Sequence, residues 1–379
     1  MDTIPLPLHP IPFLRPNPPV KKRGVCVNLQ LPSGLIHPLT PWSFIVTQTL
    51  HADPAVLDRA RGALLGLAVG DALGTTLEFS RRDTLPHQTE VTGGGPFQLS
   101  PGQWTDDTSM SLALADSLLQ APGFDPADLM ARFVAWYREG AYSCTGACFD
   151  IGITTRESLA KFLRTADPYV GSTDPDTAGN GSLMRLAPVA LVTLHDPGEA
   201  ERIAEAQSRT THGAPQAVEA CAYFVQLLRE AVLGQPDVLR PRPWVGTNTD
   251  GLRPRHFISG MDDDLTPLSR TGEAAIHEIA QGSWRGKSRA QIRSSGYVIH
   301  TLEAALWAVG TTTTFEEAVN LAVNLGDDAD TVGAVTGQLA GALYGASAIP
   351  ERWLHPLAWR ERITQLADAL FTAEASAPS

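Results

Sequence analysis

The chain has 379 residues, with 29 Lys plus Arg against 41 Asp plus Glu and a formal net charge of −12, which excludes a general nucleic-acid binder, whose affinity needs a basic footprint. With 43% hydrophobic and 18% charged residues, it can bury a sizeable core as one large domain or two ordinary ones and is not disordered as a whole. Four cysteines, Cys26, Cys144, Cys148 and Cys221, are too few for a disulfide framework and form no pair of CxxC motifs; with no basic leader ahead of an apolar stretch and no run of about 18 apolar residues, a soluble cytoplasmic protein is expected, with neither membrane nor nucleic acid as a partner.

Residues 1–54 hold 11 of the 29 prolines. Proline fixes φ and removes a donor, so this stretch cannot be a long helix and is expected to be an extended or irregular arm. Its Ile11, Phe13, Leu14, Trp42, Phe44 and Ile45 can pack on a surface, either the chain's own or a partner's. Beyond it the pattern turns helical. The first helix is expected to begin with Asp53 as N-cap and Pro54 at the first helical position, and Ala55, Leu57, Ala60, Leu64, Leu67 and Ala68 follow at near-helical spacing. Further helices are expected over Ser109 to Leu119, Asp125 to Glu139, Thr154 to Phe162, Glu199 to Ser208 and Ala214 to Val232. The same reading gives Gly272 to Gln281, Tyr297 to Val309, Phe315 to Leu325, Thr331 to Tyr344 and Ala358 to Phe371. Few runs of alternating β-branched residues interrupt them, and no period of 20 to 50 residues is visible, so the body is expected to be all-α and compact rather than repetitive. Between them, Arg240 to Asp264 carries Pro241, Pro243, Gly246, Gly251, Pro254 and Gly260 and reads as a long surface excursion. Its Asp262-Asp263-Asp264 run lacks the spaced ligands and glycine of a calcium loop and reads as solvated.

Two acidic clusters stand just before predicted helices. In Trp104-Thr105-Asp106-Asp107-Thr108 the carboxylates either stabilise a helix N-terminus or bind a cation. In Gly326-Asp327-Asp328-Ala329-Asp330-Thr331, three carboxylates within four residues repel one another unless a cation, a proton or solvent screens them. If the clusters converge, their all-oxygen donors select a hard cation such as Mg²⁺ or Mn²⁺ over Zn²⁺. Gly179-Asn180-Gly181-Ser182-Leu183-Met184-Arg185 is either an ordinary turn or a loop whose N–H groups and Ser182 face a phosphate, with Arg185 adding charge or bracing it. His212, in Thr211-His212-Gly213, either meets a phosphate or is structural. Glu78, seven residues after Asp71 in Gly70-Asp71-Ala72-Leu73-Gly74-Thr75-Thr76-Leu77-Glu78, is a further acidic candidate, and a tight turn at the two glycines is expected to aim both carboxylates away from the core. Asp150 is either an N-cap for the helix near Thr154, the reading preferred on its own sequence, or a desolvated acid. Cys144 and Cys148, four apart, can share a helical face.

In order along the chain, the G-D-A-L-G segment with Glu78, W-T-D-D-T, C-F-D-I-G, G-N-G-S-L-M-R, T-H-G, S-G-Y-V-I-H-T-L-E-A-A-L-W-A and L-G-D-D-A-D-T-V-G-A resemble the ADP-ribosylglycohydrolase family over roughly residues 59–345. The resemblance implies a compact all-α domain, taken as residues 55–379, that removes ADP-ribose from protein side chains with two Mg²⁺ or Mn²⁺ ions. It places metal ligands at Thr105, Asp106, Asp107, Asp328, Asp330 and Thr331, with Glu78, Asp107 and Asp150 as the catalytic carboxylates. It places the diphosphate at Gly179, Asn180, Gly181 and Ser182, a phosphate contact at His212, and the adenosine side along Ser295 to Val298, with Tyr297 as a stacking ring. The C-F-D-I-G and W-T-D-D-T forms resemble the arginine-specific branch, with a serine linkage as the alternative. Many members carry Gly-Gly-Asp where this chain has Gly326-Asp327-Asp328, so Asp327 either strengthens ion binding or points outward. The family core does not account for residues 1–54. Their proline-rich plan, with Phe13, Lys21, Lys22 and Arg23, is similar to members that act as immunity proteins by plugging an ADP-ribosyltransferase toxin, and a disordered or self-packed extension is the other reading.

Overall fold

The computed structural model describes residues 53–120, 123–244 and 273–374. The proline-rich arm up to residue 52, and the Arg240–Asp264 excursion beyond Trp244, lie outside the described residues. Within them the chain is helical, with isolated bridges in place of strands, as the periodicity predicts. No helix among the described residues is long and apolar enough to cross a membrane.

Helix α1, Pro54–Gly74, starts as its sequence predicts: the Asp53 side chain accepts from Ala55 N–H and proline occupies the first turn, which satisfies an orphan donor where proline has none to lose. It ends later than expected. Gly70 and Gly74 do not turn the chain but continue the helix, and Asp71 and Glu78 are buried rather than aimed outward. The reason is a stripe absent from the pattern reading above. Gly62, Gly66, Gly70 and Gly74 recur every fourth residue, and they face Gly341, Gly337, Gly333 and Ala329 of helix α11, Ala329–Tyr344, in antiparallel register. A Cβ built at Gly70 would lie 2.0 Å from Gly333 O, and one at Gly337 would lie 2.0 Å from Gly66 O. Only glycine lets the two backbones touch, and this pair is the axis of the body.

The other helices pack against this pair or against one another. In chain order they are α2 Asp106–Gln120, α3 Pro126–Glu139, α4 Ile153–Thr165, α5 Ala187–Val192, α6 Pro197–Thr211 and α7 Pro215–Val232. After the second gap in the description come α8 Glu273–Ala280, α9 Val298–Thr311, α10 Phe315–Val323, then α11, α12 Glu351–Leu354 and α13 Arg360–Glu374. Most agree with the predicted spans to within three residues at either end. Helix α5 escapes the pattern because it is short and all apolar, with Pro188 in its first turn, so it shows no amphipathic face. Cys144 and Cys148 lie in a series of turns and share no helical face; Cys144 Sγ donates to Trp104 O. The antiparallel α1 and α11 put the C-terminal end of one beside the N-terminal end of the other, and α2 begins at the same place.

Candidate active site

Thr105 marks the meeting point. Its N–H and hydroxyl both donate to Asp71 Oδ1 at 2.9 Å, while Thr108 N–H and hydroxyl donate to Asp71 Oδ2 at 3.0 and 2.6 Å. A carboxylate from the middle of the core thus caps the start of α2 from another helix, meeting the need for an acceptor at a helix N-terminus. Glu78 does the same for α11, its Oε2 accepting from Asp330 N–H. From these two helix starts Asp106, Asp107, Asp328 and Asp330 converge with Asp71 and Glu78. Oxygens of Asp71, Asp107 and Asp330 lie within 4.8 Å of one another, as do those of Glu78, Asp328 and Asp330. Thr331 closes the group, its hydroxyl reaching Asp107 Oδ2 at 3.4 Å.

Asp150 joins them from the loop before α4. The cap of α4 is Gly152, with no side-chain bond, so Asp150 is not the N-cap and its carboxyl instead lies against Asp106 and Asp330. Burial, with Asp106 and Asp330 adding to it, pushes that carboxyl up to about 11. Desolvation is also the main cause at Asp71, raised to about 7, and at Asp328, raised to about 7, where Asn180 pulls the other way. Asp106, Asp107 and Glu78 are all raised well above the ordinary carboxylate range by burial and by their acidic neighbours.

Together these seven carboxylates fit a cation. Thr105 Oγ1 lies 2.9, 3.3 and 3.2 Å from oxygens of Asp71, Asp107 and Asp330, yet a hydroxyl has one proton to donate. Asp107 Oδ1 is buried with no hydrogen-bond partner, an arrangement that costs free energy unless something positive meets it. The donors are all oxygen, which suits Mg²⁺ or Mn²⁺. Asp71 belongs to the geometric cluster, but its oxygens are already engaged by four donors, so it orients the α2 ligands rather than competing with them. Asp327 is exposed and turned away. Its φ of +58° is a conformation that glycine adopts freely and aspartate tolerates, and its N–H and C=O exchange bonds with Ser80 and Phe79 at 2.8 Å.

The glycine loop borders this centre. Asn180 Nδ2 donates to Asp328 Oδ2 at 2.7 Å and to Thr301 Oγ1 at 2.8 Å. Its side chain is therefore committed to positioning a carboxylate, a link between the motifs that no local spacing reveals. Ser182 departs from expectation: its hydroxyl is fully buried and accepts from Ser208 Oγ at 2.8 Å, so only its backbone can serve a ligand. Arg185 braces the loop rather than adding surface charge. It is buried, donates to Gln207 and Thr211, and is lowered to about 9 by desolvation. His212 packs against the glycines, a Cβ at Gly181 falling 2.6 Å from its Cε1. Burial, aided by the Arg185 charge, lowers this imidazole to about 3, so it is neutral, with Nδ1 paired to Thr211 Oγ1 at 2.9 Å. Gly179 bridges to Tyr297, whose hydroxyl donates to Gln216 at 2.7 Å. The structure thus gathers the predicted residues around one centre and adds Asp71, whose only sequence signal was an acid inside an apolar helix with no basic neighbour.

Such a body is an all-α protein with a carboxylate-rich centre at two helix N-termini and a glycine loop beside it. The chain belongs to the ADP-ribosylglycohydrolase family, whose sequence profile matches residues 52–378. It is 47% identical over 315 residues to ADP-ribosylarginine hydrolase Tri1 of Pseudomonas putida (strain GB-1), covering 83% of this chain and 78% of the relative. It is 34% identical over 323 residues to the ADP-ribosyl-[dinitrogen reductase] glycohydrolase of Rhodospirillum rubrum, covering 84% and 97%. A solved structure titled ADP-ribosylglycohydrolase-related protein complex superposes with a TM-score of 0.68 at 43% identity, covering 84% of this chain and 99% of that one.

Proposed function

We propose that this chain is a divalent-cation-dependent hydrolase that removes ADP-ribose from modified arginine side chains. The observation that carries the reading is the convergence of seven carboxylates, one with a buried unpartnered oxygen, beside the glycine loop and the neutral His212. The relatives named ADP-ribosylarginine hydrolase support the arginine linkage.

In this reading Thr105, Asp106, Asp107, Asp328, Asp330 and Thr331 hold two ions, Mg²⁺ or Mn²⁺. When bound, the ions supply Lewis-acid polarisation and hydroxyl orientation. The chain's own groups do the rest. The glycine loop, Gly179 to Ser182, and the His212 imidazole bind the diphosphate, with the N–H groups of Gly181 and Ser182 as donors because those of Gly179 and Asn180 are taken by Thr177 O and Gly296 O. Tyr297 lies along the adenosine, so binding far from the reacting carbon serves to orient it. Breaking the bond from the anomeric carbon to a guanidinium nitrogen builds oxocarbenium character on the ribose. Burial raises the Glu78 and Asp150 carboxyls above the ordinary carboxylate range in the ion-free site, so either one is suited to deliver its proton to the departing nitrogen and then, as the carboxylate so formed, to take one from water. Release of free ADP-ribose from an ADP-ribosyl-arginine protein and from an ADP-ribosyl-serine peptide, each with Mg²⁺ or EDTA, tests this. Mg²⁺-dependent release from the arginine substrate alone is expected, and no release from either in a folded, ADP-ribose-binding protein would overturn it.

The proline-rich residues 1–54 carry a second reading, an arm that also binds and blocks an ADP-ribosyltransferase toxin. A preformed extended segment loses little entropy on entering a cleft. Deleting residues 1–40 is expected to abolish toxin binding and spare hydrolysis, while Asp106→Ala with Asp107→Ala does the reverse; loss of toxin binding in that double variant would count against the arm.

A further inference from the structure

Three aromatic rings bridge the two acids that edge the centre, and the reaction described above does not use them. Phe79 directly follows Glu78 and Phe149 directly precedes Asp150. Phe97 links them, its ring centroid 6.1 Å from Phe79 and 5.3 Å from Phe149. Phe79 is 68% exposed, and the other two are half-buried. An exposed ring alone is ordinary. Here, though, each ring sits at or beside a non-glycine residue with left-handed backbone: φ is +58° at Phe79, +52° at Gln98 and +56° at Asp150. A bulky residue at positive φ is strained. At Phe79 it is held there by its N–H donating to Asp327 O at 2.8 Å, with Asp327 N–H returning to Ser80 O. The fold tolerates strain at Phe79 and leaves its ring exposed, next in sequence to the buried Glu78 and in contact with Phe97.

We propose that Phe79, Phe97 and Phe149 form the subsite for the arginine side chain of the modified protein, their faces taking the guanidinium and its methylenes. This rests on the hydrolase reading and specifies the leaving-group side of that same site. Charge complementarity favours that occupant. With Glu78 and Asp150 in their acid forms, five carboxylates carry charge and two divalent cations offset four of these, so a cation arriving at the rim is attracted by the remainder while its flat face meets the rings. A hydroxyl-linked substrate gains neither contact. Cation–aromatic contact corresponds to about 3- to 30-fold in affinity.

The test uses the full chain in Mg²⁺, with KM and kcat measured separately on an ADP-ribosyl-arginine protein, and with affinity for ADP-ribose itself. Phe79→Ala and Phe79→Leu are expected to raise KM by about 5-fold or more while ADP-ribose affinity stays within about twofold, and Phe79→Tyr to restore the wild-type value. Leucine keeps apolar bulk, so its failure to rescue identifies the ring face. An unchanged KM in both variants, or a parallel loss of ADP-ribose affinity, would overturn the subsite. The wild-type enzyme is measured first: absence of release there is the failure of the hydrolase reading itself, and is separate from a variant that behaves like an active wild type.

Discussion

Replacing Gly70 by alanine sets two effects of known size against each other. Alanine favours a helix interior over glycine by about 1 kcal/mol. Against this, the new Cβ falls 2.0 Å from Gly333 O and 2.4 Å from Gly333 C, backbone atoms that no change of rotamer can move. Real Cβ contacts do not fall below 3.0 Å, so α1 and α11 must separate by about 1 Å. Overpacking of this kind costs about 1–3 kcal/mol, and a backbone obstruction puts the cost at the upper end. The net loss is then about 2 kcal/mol, a fall in melting temperature of roughly 3–6 °C. Because Asp71 follows on α1 and Asp330 rides on α11, the separation also shifts the carboxylates relative to one another, and the stabilisation gained from Mg²⁺ should shrink. Thermal unfolding with and without Mg²⁺ measures both. Gly198→Ala in the exposed first turn of α6 is the control, since its nearest obstruction is the Asp196 side chain at 3.5 Å. It should hold or slightly raise stability. A Gly70→Ala protein as stable as wild type would refute the account of the α1–α11 pair as a backbone-to-backbone contact.

Other outcomes follow from the same geometry. Asp71→Ala strips four donors of their acceptor at the start of α2 and should cost about 2–4 kcal/mol in chemical denaturation; a loss under about 0.5 kcal/mol would show that water replaces the carboxylate. Gly181→Ala drives a Cβ into His212 and should weaken ADP-ribose binding by about tenfold or more, equivalent to about 1.4 kcal/mol, while leaving the fold intact; calorimetry with ADP-ribose reads this, and unchanged affinity counts against a ligand role for His212. In EDTA, Asp71 and Asp328 are raised to about 7 and Asp150 to about 11. Their folded-state pKa values exceed the unfolded ones, so the stability they contribute is complete below pH of about 4 and is lost as pH rises through 7 and beyond. Mg²⁺ competes with those protons, so the melting temperature it adds should be larger at pH 8 than at pH 5, and equal gains at both would contradict a cation held by these acids.

Much of the fold was legible because its signals are local. Asp53 and Pro54 announce the first helix, turn residues separate the rest, and apolar spacing locates all but the short α5, which is apolar throughout, and the single turn of α12. The acidic clusters and the glycine loop were likewise visible as residue types whose chemistry points to a cation and an anion, and their order along the chain indicated the family. What tertiary structure alone decided is which groups face which. The glycines of α1 become meaningful only opposite those of α11, and that contact is what delivers Asp71 and Glu78 to the starts of α2 and α11. Asn180 shows its role only when Asp328, 148 residues away in sequence, comes within 2.7 Å. Ser182 and Asp150 went the other way from their local readings, one hydroxyl turning into the core and one carboxyl leaving its helix cap. Composition and spacing determine what a residue can do; burial and long-range partners, which follow from how helices pack, decide what it does.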